Sequence, residues 1–392
     1  MRILIYAHAF APRIGGAETY VMLLARGLAA RGEVRRVTVA TPTPAEGFDD
    51  TELPFAVVRR PSLPALWRLV GTAEVVLLAG PCFVPLAMAL LRRRPVVVEH
   101  HGYQAVCPNG LLLQEPSKAV CPGHFMQRRY ARCVRCVRAT DGTRRAVAKV
   151  MATFARRWMC LAADAHVAIT AHVARRTALS RTEVVYYGVP DPGRAGDGQA
   201  PTLPTFAYVG RLVGEKGLPL LLEAARALKD EGWRFRVKII GDGPERAALE
   251  RRTMSSGLSE EVIFTGALRG QALEAAVRDA SAVVMPSICE ETAGLAAIEQ
   301  MMRGRPVVAA DIGGLGEVVD GAGLKFAPGD ARGLTACLRR VLQDPALADE
   351  LGRRARQRAV DVFGVERMVD GHLAVFRRLI ASRAAAGARA RG

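Results

Sequence analysis

The chain has 392 residues, more than one ordinary hydrophobic core accommodates, so its length predicts two domains. Half of the residues are hydrophobic, a globular composition that excludes an intrinsically disordered chain. The net charge is +17, and the excess is concentrated in residues 121–160, which hold ten Lys and Arg residues against one acid, Asp141. Such a patch predicts an anionic partner: a phosphate-bearing substrate, an anionic lipid surface or a nucleic acid.

Cellular location is indicated by two features. The first ten residues carry one charge and are followed by Pro12 without a small-residue cleavage pattern, so we expect no secretory signal. The eight cysteines form no secreted disulfide framework in a chain of this length. Both features predict a cytoplasmic protein, peripheral on the inner face of the membrane if its basic region binds lipid. Residues 75–91 are uncharged but interrupted by glycine and proline, which favours a strand and a buried helix over a membrane span.

Short β-branched runs alternate with longer helical stretches along the first half of the chain. Strands are predicted at residues 3–6, 36–40, 75–78 and 95–99, with a helix over 18–31 between the first two. This βαβ pattern is typical of a parallel sheet covered by helices on both faces.

Residues 188–202 are rich in glycine and proline and read as a linker, after which the alternation restarts. The second set of predicted strands lies at residues 206–209, 237–240, 262–264, 282–285 and 306–309. The predicted fold is therefore α/β, with two tandem Rossmann-like domains facing each other across a cleft that holds the active site. The predicted divisions are an N-terminal domain at 1–187 with a cysteine-rich insert at about 104–140, the linker at 188–202, a second domain at 203–363, and a helix with a tail at 364–392.

Two glycine-containing loops each follow the first strand of a domain. In the first loop, IGGAE at residues 14–18, Gly15 and Gly16 would let the backbone approach a ligand at a helix N-terminus, or serve only to turn the chain. In the second, GRLVGEKG at residues 210–217, Arg211 and Lys216 are five positions apart and would suit a diphosphate. The second loop alone is equally compatible with solvated, unrelated charges.

A pair of glutamates provides the third motif. Glu291 lies in a predicted loop mouth and Glu299 inside the following helix, which is predicted to start near Thr292, Ala293 and Gly294. The two carboxylates could hold opposite parts of one polar ligand, while the N–H groups of the helix start face its phosphates. Glu291 could alternatively interact only with the helix dipole. Glu299 has apolar neighbours nearly all round, which predicts a buried carboxylate that needs a partner.

The ordered motifs GGAE, GRLxxEKG, IIGDGPE and E-x7-E followed by GRPVVA resemble the retaining glycosyltransferases of family 4, which have the GT-B fold. The resemblance covers nearly the whole chain and implies a nucleotide-sugar donor, UDP- or GDP-linked, bound by residues 203–363. Gly16 would approach the donor phosphate, Arg211 and Lys216 would bind the diphosphate, Glu291 would contact the donor sugar, and Glu299 would hold the ribose hydroxyls. The C-terminal helix would cross back onto the N-terminal domain.

The resemblance also implies a catalytic role for His101, which follows a strand and lies six residues before Cys107. Gly102 and Tyr187 depart from the family pattern, which has Asp and Asn at these places in many members. Both departures concern the acceptor side. No D-x-D triplet occurs, so a metal-bridged diphosphate is not expected and no cofactor is required for catalysis.

The cysteine-rich insert presents a possible metal site. The ligands would be Cys107, Cys121, Cys133 and Cys136, with His124 as a substitute. A structural zinc ion, free thiols and a disulfide all remain open at this point.

The basic stretch 143–162 has apolar residues at helical spacing: Val147, Met151, Phe154, Trp158 and Leu161. We expect this stripe to face the core. A basic helix lying on an anionic membrane, next to a lipid-linked acceptor, is the alternative.

The sequence thus favours a retaining glycosyltransferase that acts on a glycan, lipid-linked or small-molecule hydroxyl. A nucleotide-sugar epimerase of the same fold is the nearest rival. A dinucleotide-dependent oxidoreductase would need a G-x-G-x-x-G turn, which is missing. A basic nucleic-acid- or membrane-binding protein explains the charge but not the glutamates. We expect no nucleic-acid partner, because few aromatics interleave the basic run.

Overall fold

The computed structural model describes residues 1–13, 15–193 and 203–389, with side chains up to residue 385. Contacts divide the chain into two compact units. The first unit contains Met1–Pro116, Cys121–Gly188 and the described residues from Gly364 onward. The second contains Ser117–Val120 and the described part of Val189–Phe363. The predicted linker at 188–202 lies for the most part outside the described residues.

The first unit is built on a seven-stranded parallel sheet with the strand order β3-β2-β1-β4-β5-β6-β7. Its strands β1, β4 and β5 are almost entirely buried, because helices cover both faces of a parallel sheet. The strands are β1 (Arg2–Ala7), β2 (Arg36–Thr41), β3 (Ala56–Arg59), β4 (Val75–Ala79), β5 (Val96–His100), β6 (Ala165–Ala168) and β7 (Thr182–Val184). The α-helices are α1 (Gly16–Ala29), α2 (Leu63–Thr72), α3 (Phe83–Leu91), α4 (Tyr130–Asp141), α5 (Thr143–Leu161), α6 (Ala171–Thr177) and, at the end of the chain, α14 (Val365–Arg389).

The second unit repeats this plan with a six-stranded parallel sheet of order β10-β9-β8-β11-β12-β13. Its strands are β8 (Thr205–Val209), β9 (Arg236–Ile240), β10 (Val262–Gly266), β11 (Ala282–Met285), β12 (Val307–Ala310) and β13 (Leu324–Phe326). Its α-helices are α7 (Leu218–Asp230), α8 (Arg246–Ser255), α9 (Gly270–Val277), α10 (Leu295–Met302), α11 (Gly313–Val319), α12 (Ala331–Gln343) and α13 (Pro345–Val362). In both sheets the strand order reverses beside the first strand, and α/β sheets bind ligands at this switch point.

The predicted α/β class with two Rossmann-like domains is confirmed. Residues 75–91 form β4 and the nine-residue helix α3, as expected of a strand followed by a helix. Within the described ranges, no helix is both long and apolar enough to span a bilayer.

Helix α14 packs within the first unit, although it follows the second unit in the chain. Its Val369 lies against Gly27 of α1, where an added Cβ would come within 2.4 Å of the valine side chain. Arg31 of α1 contacts two acids of α14, Glu366 and Asp370. An apolar interface with a charged border therefore holds the last helix on α1.

The expected core-facing stripe of α5 is wrong. Its members are exposed: Val147, Met151, Phe154, Trp158 and Leu161. The helix instead buries Ala146, Val150, Thr153 and Cys160. These smaller side chains allow α5 to pack closely against its neighbours, so the larger apolar residues are left on the solvent side.

Packing of α14 generates a stability prediction. Phe376 of α14 is fully buried, so Phe376→Ala should leave a cavity and destabilise the first unit by about 3–5 kcal/mol. Urea unfolding followed by hydrogen exchange would measure the loss in the first unit. Arg367→Ala, at an exposed position of the same helix, is the control and should change stability by less than about 0.5 kcal/mol. Equal effects of both variants would contradict the packing described.

Candidate active site

Two loops at the switch point of the second sheet pack directly on each other. They are residues 210–217 after β8 and residues 286–294 after β11. Gly217 has φ +68°, and a Cβ there would lie 2.0 Å from the carbonyl oxygen of Pro286. The Ile288 N–H donates to the Glu215 carbonyl at 3.0 Å. Only a glycine permits this backbone approach, which fixes Lys216 beside the second loop.

A third loop, after β9, closes the other side of residues 210–217. The Leu212 N–H donates to the Asp242 carbonyl at 2.9 Å, and the Glu245 N–H donates to the Leu212 carbonyl at 3.0 Å. Gly241 has φ +148°, and a Cβ there would lie 1.8 Å from the Gly210 carbonyl oxygen. The GRLxxEKG and IIGDGPE motifs therefore form one packed structure at the carboxyl edge of the sheet.

Glu291 and Lys216 form an ion pair at this edge. Lys216 Nζ contacts Glu291 Oε1, and the Ser287 hydroxyl donates to the same oxygen at 2.6 Å. Burial raises the pKa of the Glu291 carboxyl, but the Lys216 ammonium and the Ser287 hydroxyl outweigh this and leave it below its ordinary value. Burial lowers the pKa of Lys216, and Glu291 outweighs it in turn and raises the pKa. Both groups are therefore ionised at neutral pH.

Arg211 is differently placed from Lys216. Its side chain is 76% exposed, and its contact with Glu215 Oε1 is long, at 4.0 Å. Its main-chain carbonyl accepts a hydrogen bond of 2.8 Å from the Tyr208 hydroxyl, which anchors the loop. The backbone of Arg211 is thus fixed while its guanidinium is available to an anion.

Glu299 lies in α10, and its carboxylate makes no hydrogen bond or ion pair within the part of the chain that the structure describes. Burial raises the pKa of this carboxyl, and Arg303 only partly opposes the shift. Arg303 itself contacts Glu274 and donates to the Glu299 carbonyl at 2.9 Å. Glu299 is partly buried and its carboxylate oxygens are not cut off from solvent, so this carboxylate is available to accept hydrogen bonds from a ligand.

The start of α10 is also open to a ligand. The helix begins at Leu295, just after the predicted start, and its N-cap Gly294 has φ +78° and makes no side-chain capping hydrogen bond. Ala293 is buried, and Thr292 is partly buried. The Gly314 N–H at the start of α11 donates to the Glu291 carbonyl at 2.6 Å, which holds the loop in place. The uncapped N–H groups of α10 favour a negatively charged group here.

The first unit has its own cavity at the corresponding switch point. It has a volume of about 490 Å³ and lies beyond the carboxyl ends of β1, β4 and β5. Among the lining side chains are Tyr6, His8, Phe83, His101 and Arg156. Gly15 is the N-cap of α1 and Gly16 its first residue, next to the cavity-lining Ala17, while Ile14 lies outside the described residues.

The two neighbouring histidines at the end of β5 have different surroundings. His100 is fully buried against His166, with 3.1 Å between His100 Nε2 and His166 Nδ1, and burial lowers the pKa of His100 to about 3. His101 lines the cavity, with its Nδ1 at 2.8 Å from the Tyr187 hydroxyl and its Nε2 at 3.3 Å from Glu99 Oε2. Glu99 was not predicted as a site residue, although an acid within the apolar run VVVEH indicates a buried carboxylate.

The predicted zinc site is not found. The four cysteines line one small cavity with a histidine: Cys107, Cys121, Cys133, Cys136 and His124. Within the described residues, no group of three or more His, Cys, Asp or Glu side chains could hold a metal ion. The Cys107 thiol instead donates to Asn109 at 2.9 Å, and the Glu115 N–H donates to Cys136 Sγ at 3.2 Å. Burial raises the pKa of Cys133 to about 12, and all eight cysteines are unpaired in the structure.

Comparison with known proteins supports the two-unit description. Residues 14–191 match the model for Glycosyltransferase Family 4, and residues 194–358 match the model for Glycosyl transferases group 1. The 2-deoxystreptamine glucosyltransferase of Streptomyces kanamyceticus is 35% identical over 45% of this chain and 46% of its own length. The α-D-kanosaminyltransferase of the same organism is 29% identical over 70% of this chain and 68% of its own length.

Solved structures show the same fold at low sequence identity. Sucrose-phosphate synthase of Thermosynechococcus elongatus has a TM-score of 0.72 and 20% identity, and the match covers 97% of this chain and 99% of that one. Anabaena HepE in complex with UDP and glucose has a TM-score of 0.71 and 17% identity, with 96% and 100% of the two chains covered. The two family models show that the chain belongs to the family 4 glycosyltransferases, and the solved structures show its GT-B fold.

Proposed function

We propose that this chain transfers a sugar from a nucleotide diphosphate donor to a hydroxyl of a glycan, lipid-linked or small-molecule acceptor, with retention of configuration. The observation that carries the proposal is the partly buried carboxylate of Glu299, which has no partner within the described residues, at the sheet edge that also carries Arg211 and the uncapped start of α10. One ligand that combines hydroxyl groups with a diphosphate would satisfy all three. The HepE structure, which holds UDP and glucose, supports a UDP-sugar, and a GDP-sugar fits the same groups.

Each residue then has a distinct role. Glu299 accepts hydrogen bonds from the ribose hydroxyls, and Arg211 binds the diphosphate through its exposed guanidinium. The ionised Glu291 contacts the donor sugar, and Lys216, already held by Glu291, faces the diphosphate. As the anomeric carbon loses the nucleoside diphosphate, negative charge develops on the leaving phosphate, where Arg211, Lys216 and the N–H groups of α10 stabilise it.

The acceptor would bind in the first unit, where the 490 Å³ cavity offers polar and aromatic side chains. His101 at its wall would lie near the acceptor hydroxyl, as the family resemblance implies. The hydroxyl attacks the anomeric carbon on the face that the diphosphate leaves. No covalent nucleophile is assigned.

A donor screen tests the central proposal. Saturation-transfer NMR with UDP-, GDP- and ADP-sugars should show binding of a UDP- or GDP-sugar, because the site combines cations with a ribose-binding carboxylate. Binding of none of the three classes would overturn the proposal.

Product analysis separates the two candidate enzyme activities. A transferase converts the donor to a free nucleoside diphosphate and a glycoside with the donor's anomeric configuration. An epimerase acts without an acceptor. Proton NMR of the anomeric signal distinguishes retention, inversion and epimerisation.

Substitutions in the second unit test the assigned roles. Glu299→Gln and Arg211→Ala should each weaken donor binding about 10- to 100-fold, because each removes a charge-assisted hydrogen bond worth about 1.5–3 kcal/mol. The exposed Glu260 and Arg251 provide matched controls, and Glu260→Gln and Arg251→Ala should bind the donor normally. Isothermal titration of the donor measures the effect.

The raised pKa of Glu299 adds a pH dependence with a definite sign. Ribose hydroxyls donate to the ionised carboxylate, so donor affinity should fall as the pH drops through this raised pKa. Glu299→Gln cannot titrate and should remove this part of the pH dependence. An unchanged pH profile in Glu299→Gln would contradict the assignment.

We propose further that the protein is cytoplasmic and peripheral on an anionic membrane, which it contacts through α5. Trp158 and Met151 on this helix are 74% and 61% exposed. Beside them lies an open cavity of about 290 Å³, with Phe125, Phe154 and Leu161 among its lining residues. Exposed Arg144 and Arg145 on the same helix are suited to anionic headgroups.

Vesicle co-sedimentation tests the membrane proposal. The protein should bind phosphatidylglycerol vesicles more strongly than phosphatidylcholine vesicles, and Trp158→Ser with Met151→Ser should reduce binding, because each removes exposed apolar area. Met254→Ser, at a position 62% exposed in the second unit, is the matched control and should bind normally. Binding that is indifferent to lipid charge would remove the proposal.

A further inference from the structure

A fully buried carboxylate lies directly behind the cavity of the first unit. Glu99 is 0% exposed at the end of β5, and three side chains surround it. The Tyr20 hydroxyl of α1 donates to Glu99 Oε1, His372 Nε2 of α14 lies 3.5 Å from the same oxygen, and His101 Nε2 lies 3.3 Å from Oε2. The pKa of Glu99 is shifted to well below its ordinary value, because the histidines outweigh the effect of burial. Glu99 is thus a buried anion in contact with the cavity-lining histidine.

The hydrogen-bond partners of His372 and Tyr20 determine where the positive charge beside Glu99 lies. His372 Nδ1 lies 2.8 Å from the Met368 carbonyl oxygen, which only accepts, so Nδ1 carries a proton. The single Tyr20 proton is donated to Glu99, so the Tyr20 oxygen accepts from His372 Nε2 at 3.0 Å. His372 therefore carries protons on both ring nitrogens. The positive charge that balances Glu99 thus lies on α14.

The two ring nitrogens of His101 each face one protein group. Its Nε2 and Glu99 Oε2 are both buried, lie 3.3 Å apart and make no hydrogen bond within the described residues. A proton on Nε2 is favoured by the facing carboxylate, because an Nε2 lone pair there would repel it. Its Nδ1 lies 2.8 Å from the Tyr187 hydroxyl, and the Tyr187 ring stacks on the imidazole with an interplanar angle of 19°. Both ring nitrogens of His101 therefore face protein side chains.

We propose that Glu99 is a positioning residue that fixes His101 in the Nε2–H tautomer and in one ring orientation at the cavity wall, with Tyr20 and His372 holding Glu99. Both nitrogens are used in this arrangement, so His101 does not serve as the base that deprotonates the acceptor. It acts as a rigid part of the cavity wall against which the acceptor is aligned. The tautomer of His101 does not depend on the proposed function. The effect of Glu99 on turnover rests on the proposed glycosyl transfer.

Other titratable groups near this cluster come from several elements. Glu18 of α1 influences Tyr187, and His100 of β5 is next to His101 and faces His166 of β6. Since His100 and His166 have lowered pKa values, of about 3 and about 4, both are neutral at pH 7. They add no cation that could compete with His372 for Glu99.

Histidine ¹⁵N NMR tests the tautomer without any substrate. In the full-length protein, His101 should show a protonated Nε2 and an unprotonated Nδ1, and His372 should show two protonated nitrogens. Glu99→Gln should change the His101 pattern, and Tyr187→Phe should shift its Nδ1 signal. A His101 pattern that is Nδ1-protonated, or that Glu99→Gln leaves unchanged, would overturn the proposal even if the enzyme transfers sugar as proposed.

Turnover of UDP-glucose or GDP-mannose provides the kinetic readout. Glu99→Gln should lower kcat by up to about 100-fold with little change in the donor KM, because misalignment affects the reacting geometry and not donor binding. His166→Gln is the matched control, since it alters a buried histidine of the same sheet that lies outside the cavity lining. Melting temperatures identify variants that fail to fold. An equal fall in kcat for His166→Gln and Glu99→Gln would reduce Glu99 to a structural role, whereas no turnover by the wild type would refute only the proposed function.

Discussion

Close backbone contact between loops is the constraint on which the second unit depends. Parallel strands deliver their following loops to one edge of the sheet, but ordinary side chains would keep those loops apart. Glycine at positions 217 and 241 removes the obstruction, so carbonyl groups of neighbouring loops occupy the space of a Cβ. Arg211, Lys216 and Glu291 consequently lie on loops that support one another, and a rigid base of this kind is what a preorganised binding site needs.

Three carboxylates, one fully buried and two partly buried, show how differently one functional group can be used. Glu291 is neutralised by Lys216 and stays ionised. Glu299 has no partner within the described residues, and burial raises its pKa, so it is prepared for a ligand. The charge of Glu99 is balanced by His372, and the Tyr20 hydroxyl is hydrogen-bonded to both side chains. The free energy of burying each charge is therefore compensated by a cation, by a ligand or by a hydrogen-bonded chain.

Much of the fold could be predicted because buried parallel strands have continuous apolar sequences. The predicted strands at 282–285 and 75–78 coincide closely with β11 and β4. Strands β3, β6, β7 and β13 were missed, since each of these short segments (AVVR, AHVA, TEV and LKF) includes a charged residue or a histidine, whereas β11 (AVVM) is apolar throughout. The orientation of α5 was mispredicted because periodicity reveals an apolar stripe but not which side packs, and small residues decided the packing.

The candidate site residues could likewise be predicted only in part. Arg211, Lys216, Glu291 and Glu299 stand in motifs that are local in sequence, so they could be named in advance, and the structure places them on adjoining elements of one sheet edge. The group around Glu99 could not, because Tyr20 and His372 are 352 positions apart and only the folded chain brings them together. For the cysteine insert, spacing alone left zinc, free thiols and a disulfide open, and no metal-binding arrangement is found within the described residues.

The position of α14 has a consequence for the order of folding. Ribosomes release the chain from its N-terminus, so every strand of the first unit emerges before its last helix is made. Until then the apolar surface of α1 and the carboxylate of Glu99 lack the partners that α14 brings. The second unit, whose strands are contiguous in the chain, can complete its core first. The first unit is thus the first to be synthesised and the last to complete its fold.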